Sequence, residues 1–181
     1  MSSVMESLTF TVSLPSKIRN EAKKISLKQK DSQQARQVEL NHLAVYAANF
    51  YLSQCLEIDT DLEGSDSQNV VMQSLIDVAD LNIVGLGKLE CRPILKGEKT
   101  CQIPPEVWEN RIGYLVVEID EQSREANLLG FTKQVNSEKI AINKLQSLDD
   151  FLNYLEKLLT EKDNILVTAK EVATNVITTV D

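Results

Sequence analysis

The fold is decided by residues 91–132, CRPILKGEKTCQIPPEVWENRIGYLVVEIDEQSREANLLGFT. Two apolar segments of this region, Ile112–Asp120 and Ala126–Thr132, are separated by the polar residues Glu121–Glu125. Two segments of strand length around a short polar connection predict a β-hairpin. The region also contains the only Trp of the chain and three of its four Pro, and we expect the pair Pro104-Pro105 to fix the approach to the hairpin.

Shorter strands are predicted on both sides of the hairpin. Leu81–Leu95 reads as a strand or a bent pair of strands, which is interrupted at Gly85 and Gly87. Lys139–Asn143 is a candidate for one more short strand. Residues 81–143 therefore predict a small antiparallel sheet that is strongly bent or forms a partly open barrel.

The N-terminal third is predicted to be mainly helical. Leu8–Leu14 alternates apolar and polar residues, which is typical of a half-buried strand. Leu14–Ile25 has apolar residues at helical spacing, and a second, longer helix is predicted from Asp31 or Ser32 to about Leu56. The centre of this second helix, Leu43–Leu52, is apolar on almost every side, so we expect it to be the central element of the fold.

The C-terminal part begins with a helix signal. Ser147 followed by Asp150 resembles a capping box, and the apolar positions after it predict a packing helix over residues 147–160. The tail Ile165–Val180 fits a helical stripe (Ile165, Ala169, Val172, Val176, Val180) and the β propensity of Val and Thr equally well, and both interpretations stay open.

The fold class predicted from this order is α+β, with a central hydrophobic helix packed on a small antiparallel bent sheet or partly open barrel and a further packing helix. We expect a single α+β domain over residues 1–160. Residues 1–80 form its mainly helical part, 81–143 its small β part and 147–160 the packing helix. Residues 161–181 form an appendage whose structure the sequence leaves unresolved.

Composition and charge limit the classes of function. The net charge of −8 argues against non-specific binding to nucleic acid or to an anionic membrane. The first residues show no signal peptide, and no apolar run reaches the roughly 18 residues that span a bilayer. Three Cys without a CxxC motif do not suggest a disulfide framework. We therefore expect a cytoplasmic protein without membrane contact.

Several phrases of the sequence resemble one family. They are Asn41–Val45, Gly87–Pro93, Pro104–Trp108, Arg111–Tyr114 and Leu128–Phe131. Over about residues 8–160 the chain is similar to the uncharacterised cyanobacterial family known as domain of unknown function number 1822. The resemblance carries no known activity, cofactor or catalytic residue. By analogy it implies a regulatory adaptor rather than a metabolic enzyme.

Candidates for catalysis and ligand binding are few. His42 is the only histidine and precedes the most apolar part of a helix, so a packed histidine is favoured over a catalytic base. The carboxylates of Asp59–Asp66 resemble a Ca²⁺ loop, but Val70 stands where an EF-hand has its Glu, and a solvated loop is favoured. Gly85-x-Gly87 lacks the rest of a dinucleotide fingerprint. We assign no catalytic, cofactor-binding or metal-binding residue.

Candidates for an interaction site are Trp108 and Arg111, with Arg92. A short turn after the Pro pair would place Trp108 and Arg111 on neighbouring faces, and these residue types are enriched at interface hot spots. The alternative, which we favour, is structural: Trp108 covers the end of the sheet and Arg111 pairs with a carboxylate or carbonyl. Arg92 follows Glu90 in an apolar strand, where a structural ion pair is expected at least as often as a functional one.

A basic helix provides the remaining candidates, Lys23 and Lys24. They belong to a set that could contact phosphate groups, although a solvated helix face is favoured. The set comprises Lys17, Arg19, Lys23, Lys24, Lys28 and Lys30.

The leading hypothesis is a non-enzymatic protein-interaction or regulatory module, adaptor-like, with a protein partner. One alternative is a nucleic-acid-binding regulatory module that uses the basic helix 17–30. The other is an enzyme of unknown chemistry that uses carboxylates such as Glu90 or Glu118, or Cys91. The sequence leaves the oligomeric state open.

Overall fold

A computed structural model describes residues 9–178 of the chain, with side chains up to residue 174. Within these residues a six-stranded sheet curls into a half-barrel and is accompanied by a two-stranded sheet and four α-helices. The predicted α+β class is confirmed. The strands are β1 (Phe10–Ser13), β2 (Thr60–Asp61), β3 (Asp80–Ile83), β4 (Gly87–Leu95), β5 (Thr100–Gln102), β6 (Gly113–Asp120), β7 (Glu125–Thr132) and β8 (Lys139–Ala141). The helices are α1 (Ser16–Ser26), α2 (Ser32–Asn49), α3 (Val70–Leu75) and α4 (Leu148–Thr178).

The large sheet is mixed, whereas the sequence predicted an antiparallel one. Its strand order is β1-β7-β6-β4-β3-β2, and all neighbours are antiparallel except β4 and β6, which run parallel. The physical reason is the connection between these two strands. Residues 96–112 are long enough to return to the other end of the sheet, which a parallel pair requires. Side-chain alternation is the same in both pairings and could not reveal the direction.

The sheet draws strands from outside residues 81–143. β1 forms one edge by pairing with β7, in the register Phe10↔Leu128 to Ser13↔Glu125. The strand was predicted over Leu8–Leu14, and Leu8 lies outside the described residues. The predicted short strand near Lys139 exists as β8, but it pairs with β5 in the two-stranded sheet.

The hairpins were predicted correctly. β6 and β7 form the hairpin expected in residues 112–132, with a bulge between Val116 and Val117. For residues 81–95, where a single strand or a bent pair was expected, the structure has the pair β3 and β4, and the turn between them uses Gly85 and Gly87, both at positive φ. Glycine adopts this left-handed conformation at low cost, which is why the two glycines interrupt the apolar segment there.

α2 is the central helix that the sequence predicted. The Asp31 side chain caps it by accepting a hydrogen bond from the Gln34 backbone N–H at 2.8 Å. After Asn49 the helix continues as a π-helical turn, Phe50–Cys55, which accounts for the predicted extent to about Leu56. α2 buries seven apolar side chains: Val38, Leu40, Leu43, Ala44, Val45, Ala47 and Ala48.

Two hydrophobic cores lie on the two faces of the large sheet. The first core joins α1, α2 and α4 to the face that carries Leu89 and Cys91 of β4. The second core joins the opposite face, which carries Ile94 of β4 and Tyr114 of β6, to β5 and the 3₁₀ turn Pro105–Val107. Because both faces are covered, β6 reads as a nearly continuous apolar run.

The acidic segment around residue 66 is held to the sheet by a buried carboxylate. Asp80 of β3 accepts a hydrogen bond from the Ser67 backbone N–H at 2.7 Å, and its backbone carbonyl accepts one from the Ser67 hydroxyl at 2.6 Å. The segment predicted as a loop thus contains β2 and a 3₁₀ turn, Asp66–Gln68, before α3 begins.

α4 extends well beyond the predicted packing helix. The Ser147 hydroxyl accepts a hydrogen bond from the Asp150 backbone N–H at 3.1 Å, as expected for a helix cap. Leu148, Phe151 and Leu155 are buried against the first core. The helix continues to Thr178, so the helical interpretation of the tail holds to that residue, and Val180 lies outside the described residues. Across residues 9–178 we find no helix with the length and apolar character needed to cross a membrane.

A substitution at Gly130 tests how closely β7 approaches the segment that precedes α4. A Cβ atom at Gly130 would lie 2.3 Å from the Gln146 carbonyl oxygen, which is held by hydrogen bonds with Phe131. We expect Gly130→Ala to lower the free energy of unfolding by about 1–3 kcal/mol, because the backbone must shift. Urea unfolding measures the loss. Gly113→Ala is the control, because Gly113 also has an ordinary φ and an added Cβ there would approach no closer than 3.3 Å to the Thr132 carbonyl oxygen. An equal loss in that variant would contradict the steric account.

Asp120, at the end of β6, should make stability depend on acid pH. The Ser123 backbone N–H and the Lys96 ammonium donate hydrogen bonds to its carboxylate and lower its pKa from 3.8 to about 2. A carboxyl group whose pKa is lowered by folding stabilises the folded state at pH values above its ordinary pKa. This contribution is lost as the pH falls through about 2. The melting temperatures of wild type and Asp120→Asn should therefore converge between about pH 4 and about pH 2.

Lys96→Met is the matched control for this pH dependence. This substitution removes the ammonium group and keeps the hydrogen bond from the Ser123 N–H. Part of the difference in melting temperature from Asp120→Asn should therefore remain. A constant difference between wild type and Asp120→Asn down to pH 2 would contradict the assignment.

Candidate functional site

A buried ionic network lies between the large sheet and the second core. Arg92 pairs with Asp77 at 2.7 Å and with Glu90 at 3.4 Å, and Arg111 pairs with Glu90 at 2.8 Å. The side chains of Glu90 and Arg92 are 0% and 1% exposed, and that of Arg111 is 6% exposed. The sequence placed Arg92 and Arg111 among its candidates, and the structure brings both to one carboxylate.

The strand pattern explains how these charges meet. Side chains two residues apart in a strand point to the same face of the sheet. Glu90 and Arg92 of β4 therefore face the second core, as Ile94 does, rather than the first. Asp77 lies just before β3, and Arg111 follows Asn110, whose positive φ turns the chain into β6. The Ala79 backbone N–H donates a further hydrogen bond to Glu90 at 2.7 Å. The network therefore ties together the starts of β3 and β6 through β4.

Burial dominates the electrostatics of this network. Removal from water raises the pKa of Glu90, although Arg92 and Arg111 act in the opposite direction. A buried ion pair is costly to desolvate, and it is tolerated when further hydrogen bonds satisfy the charges. Arg92 has such bonds, since it also donates to the Gln102 carbonyl oxygen at 3.2 Å. Neither arginine directs its charge to solvent.

Trp108 is half-buried and takes part in the second core. Its indole N–H donates a hydrogen bond to the Ile103 carbonyl oxygen at 2.9 Å. The position agrees with the structural interpretation of Trp108 and Arg111 that the sequence favoured, in which the indole covers the end of the sheet and Arg111 pairs with a carboxylate.

A cavity of about 200 Å³ opens beside the network, between α2 and α3; we call it the α2–α3 cavity. Asp77 joins the two features, because it lines the cavity and its carboxylate pairs with Arg92. Its side chain is 32% exposed. Most polar residues around the cavity are carboxamides and carboxylates: Gln34, Gln37, Asn41, Gln73, Asp77 and Glu106.

Sequence reasoning missed this cavity, although one signal was present. Gln34, Gln37 and Asn41 follow each other at spacings of three and four residues, which places them on one face of α2. A row of carboxamides on a helix that is otherwise buried is unusual enough to point to a polar cavity. The contribution of α3 could not be seen, because it depends on how residues 57–80 fold against α2.

Gln73 carries a polar atom without a partner beside the cavity. The residue is 4% exposed, its side-chain N–H donates to the Ser67 carbonyl oxygen at 2.7 Å, and its Oε1 is buried with no hydrogen bond. The orientation of the amide follows from Ser67, since a carbonyl oxygen can only accept. Buried polar atoms are nearly always satisfied, so an unsatisfied acceptor here calls for a donor.

Lys23 and Lys24 lie away from the network, on α1. Lys23 pairs with Glu39 at 3.3 Å, and Arg36 connects Glu39 to Glu121. Lys23 also lines a second cleft, of about 390 Å³, between α1, α2 and the β6–β7 turn. Lys24 is exposed. The structure does not bring these lysines together with Arg92, Trp108 or Arg111.

The residues considered for catalysis are packed. Burial lowers the pKa of His42, which is half-buried on α2, and burial raises the pKa of Cys91 well above its ordinary value in the first core. Among the residues that the structure describes, no three His, Cys, Asp or Glu side chains are grouped so that they could hold a metal ion.

The second half of α4 forms a different kind of surface. Every residue from Asp163 to Thr174 is exposed; we call this segment the exposed half of α4. Ile165 is 69% and Val172 57% exposed, and Leu166 lies beside them. The last inward contact is Lys162, whose ammonium lies over Gly85 of the β3–β4 turn. Exposed aliphatic side chains in a continuous helical row are typical of an interaction surface.

Arg92 tests whether the network supports the fold. We expect Arg92→Met to lower the free energy of unfolding by about 3–5 kcal/mol, since Glu90 and Asp77 would lose a buried partner. Denaturant unfolding measures the loss. Lys88→Met, which breaks the half-exposed pair with Asp66, is the control and should cost less than about 1 kcal/mol. Similar losses in the two variants would show that the network is not a structural support.

Comparison with known proteins gives one match. A family model described as "Protein of unknown function (DUF1822)" matches residues 12–181, which includes all of α4 as well as the residues whose resemblance was noted. No curated protein and no solved structure matches the chain. The match covers nearly the whole chain, and the protein therefore belongs to the DUF1822 family of proteins of unknown function.

Proposed function

We propose that the protein is a non-enzymatic protein-interaction module, adaptor-like and regulatory, which acts in the cytoplasm of a cyanobacterium. The observation that carries the proposal is the exposed half of α4, with its row of exposed aliphatic side chains. An amphipathic helix of this kind binds by placing its apolar stripe against a groove or another helix of the partner.

The spacing of α4 supports this role. Leu148, Phe151 and Leu155 pack on the protein's own core, and the same alternation of three and four residues leads on to Ile165, Ala169 and Val172. One stripe, interrupted at Lys162, thus begins as an internal contact and continues as an external one. Such a heptad-like spacing keeps the stripe facing one side when two helices pair. The exposed half is therefore suited to pairing with a partner helix.

Charge favours a basic partner. The exposed half of α4 carries Asp163 and Glu171 against Lys170, and the whole chain has a net charge of −8. A second copy of the chain, or an acidic partner, would be repelled. We therefore propose that the occupant of this surface is an amphipathic helix of a partner protein whose apolar stripe is flanked by Lys and Arg.

The alternatives receive less support from the geometry. For nucleic-acid binding, the cations of α1 are partly engaged, because Lys23 pairs with Glu39 and Arg19 donates to the Leu14 carbonyl oxygen. For an enzymatic role, Cys91 and Glu90 lie inside the protein with raised pKa values. Both remain hypotheses, and we do not extend the proposal to them.

Binding of synthetic helical peptides tests the proposal. A Leu/Lys amphipathic peptide should bind saturably, and a Leu/Glu peptide with the same apolar stripe should not. Ile165→Ser/Val172→Ser should weaken binding of the basic peptide by about tenfold or more, because it removes the apolar contact without changing charge. Fluorescence anisotropy measures both affinities.

Asn164→Ser, a polar change on the same exposed helix, is the matched control and should leave the affinity unchanged. Equal binding of the acidic peptide would overturn the proposal, as would insensitivity to the double substitution. Self-association that is lost in the double variant would assign the surface to a second copy and would overturn the assignment to a basic partner.

A further inference from the structure

The α2–α3 cavity has a chemistry that is independent of the exposed half of α4. Its volume of about 200 Å³ is below the roughly 300–1,000 Å³ that holds a drug-sized ligand, so it suits a small group. The first question is which hydrogen-bonding atoms of its wall remain for such a group.

The amide nitrogens of the wall are already used by the protein. Gln34 Nε2 donates to the carbonyl oxygens of Gln73 and Ser74 at 3.0 and 3.1 Å, and Gln37 Nε2 donates to Asn41 Oδ1 at 2.8 Å. Asn41 Nδ2 donates to Asp77 Oδ1 at 2.7 Å. Together with the bond from Gln73 to Ser67, all four carboxamides direct an N–H inward to the protein. The wall thus offers mainly oxygen atoms, which accept.

The charged residues that line the cavity also favour a hydrogen-bond donor. Asp77 and Glu106 line it, and none of the lining residues is Lys or Arg. The surrounding segment, residues 57–80, carries seven Asp or Glu and no Lys or Arg. Arg92 donates to both carboxylate oxygens of Asp77, at 2.7 and 3.1 Å, so the uncompensated charge of the lining is that of Glu106. The cavity therefore disfavours an anion and attracts a cation with several N–H donors.

The remaining wall is apolar. Val38, Ile76 and Val78 line the cavity, with Leu75, which is 69% exposed, at its outer part. An apolar wall beside oxygen acceptors fits a ligand that has an alkyl stem and a cationic head. The side chains of Lys and Arg are built in this way, with methylene stems that pack on apolar surface.

We propose that the α2–α3 cavity binds an alkylammonium or alkylguanidinium group. Its N–H donors bond to Asp77 and Glu106, and its methylene stem contacts Val38 and Ile76. Such a group is supplied either by a small metabolite or by a Lys or Arg side chain of a partner protein. The chemistry of recognition is the same for both sources.

Titration with small probes, followed by protein NMR, tests the proposal. n-Butylguanidinium and n-butylammonium should shift the side-chain amide signals of Gln34, Gln37 and Gln73, with the weak affinity expected for a fragment of this size. Pentanoate, which has a similar stem and the opposite charge, should cause no such shifts. Absence of binding by both cations, or equal binding of pentanoate, overturns the proposal.

Two substitutions test whether the cationic probes bind in the α2–α3 cavity. Glu106→Gln should weaken the cations several-fold, and because Glu106 is exposed this variant keeps the proposal testable if others fold poorly. Val38→Thr, which keeps the shape of the side chain and makes the apolar wall polar, should weaken binding several-fold. Glu109→Gln is the matched control, since Glu109 is exposed in the neighbouring turn and does not line the cavity. Unchanged affinity in both test variants overturns the assignment.

A second set of probes distinguishes the sources. Tighter binding of an arginine-containing peptide than of n-butylguanidinium supports a partner's side chain, and exclusion of the peptide while the small cation binds supports a metabolite. Ile165→Ser/Val172→Ser should leave cavity binding unchanged. A negative result for binding in the cavity can therefore be distinguished from a negative result for binding at the exposed half of α4.

Discussion

The buried carboxylate of Glu90 is the constraint on which the rest of the structure depends. It accepts hydrogen bonds from Arg111 and from the Ala79 backbone, and Arg92 approaches it on the way to Asp77. An ionised group without these partners could not be held inside the protein, because its desolvation would cost several kcal/mol. The entry into β3, the middle of β4 and the entry into β6 are consequently held in one arrangement.

This arrangement also connects the two layers of the protein. Asp77 takes the outer side of Arg92 and accepts a hydrogen bond from Asn41, so the network reaches α2 through a single carboxylate. The α2–α3 cavity lies where that connection meets solvent. A group bound there would contact a residue that already supports the fold, and binding and stability would be linked.

Much of the architecture could be predicted from local patterns. The apolar segment Ile112–Asp120 followed by the polar Glu121–Glu125 predicted the β6–β7 hairpin, and the apolar run Leu43–Leu52 predicted the central helix; both are confirmed. Each signal lies within a few consecutive residues. The tail was different, because Val and Thr fit a helix or a strand equally, and α4 is helical there as a continuation of a helix that begins on the core.

Only part of the candidate site could be predicted from the sequence. Arg92 and Glu90 stood out as charges in an apolar strand, but Asp77 and Arg111 are separated from them by 15 and 21 residues, so their meeting could not be derived. The parallel pairing of β4 with β6 was not predicted, since side-chain alternation is the same for either strand direction.

The sequence by itself determined most of the segments that form helices and strands, which of their faces are apolar, and which family the chain resembles. Those properties follow from periodicity over neighbouring residues. Only the tertiary structure decided the strand order, the meeting of four charges in one network with three of them buried, the cavity beside it and the exposure of the far half of α4. These depend on contacts between distant residues, and on the removal of water that such contacts bring about.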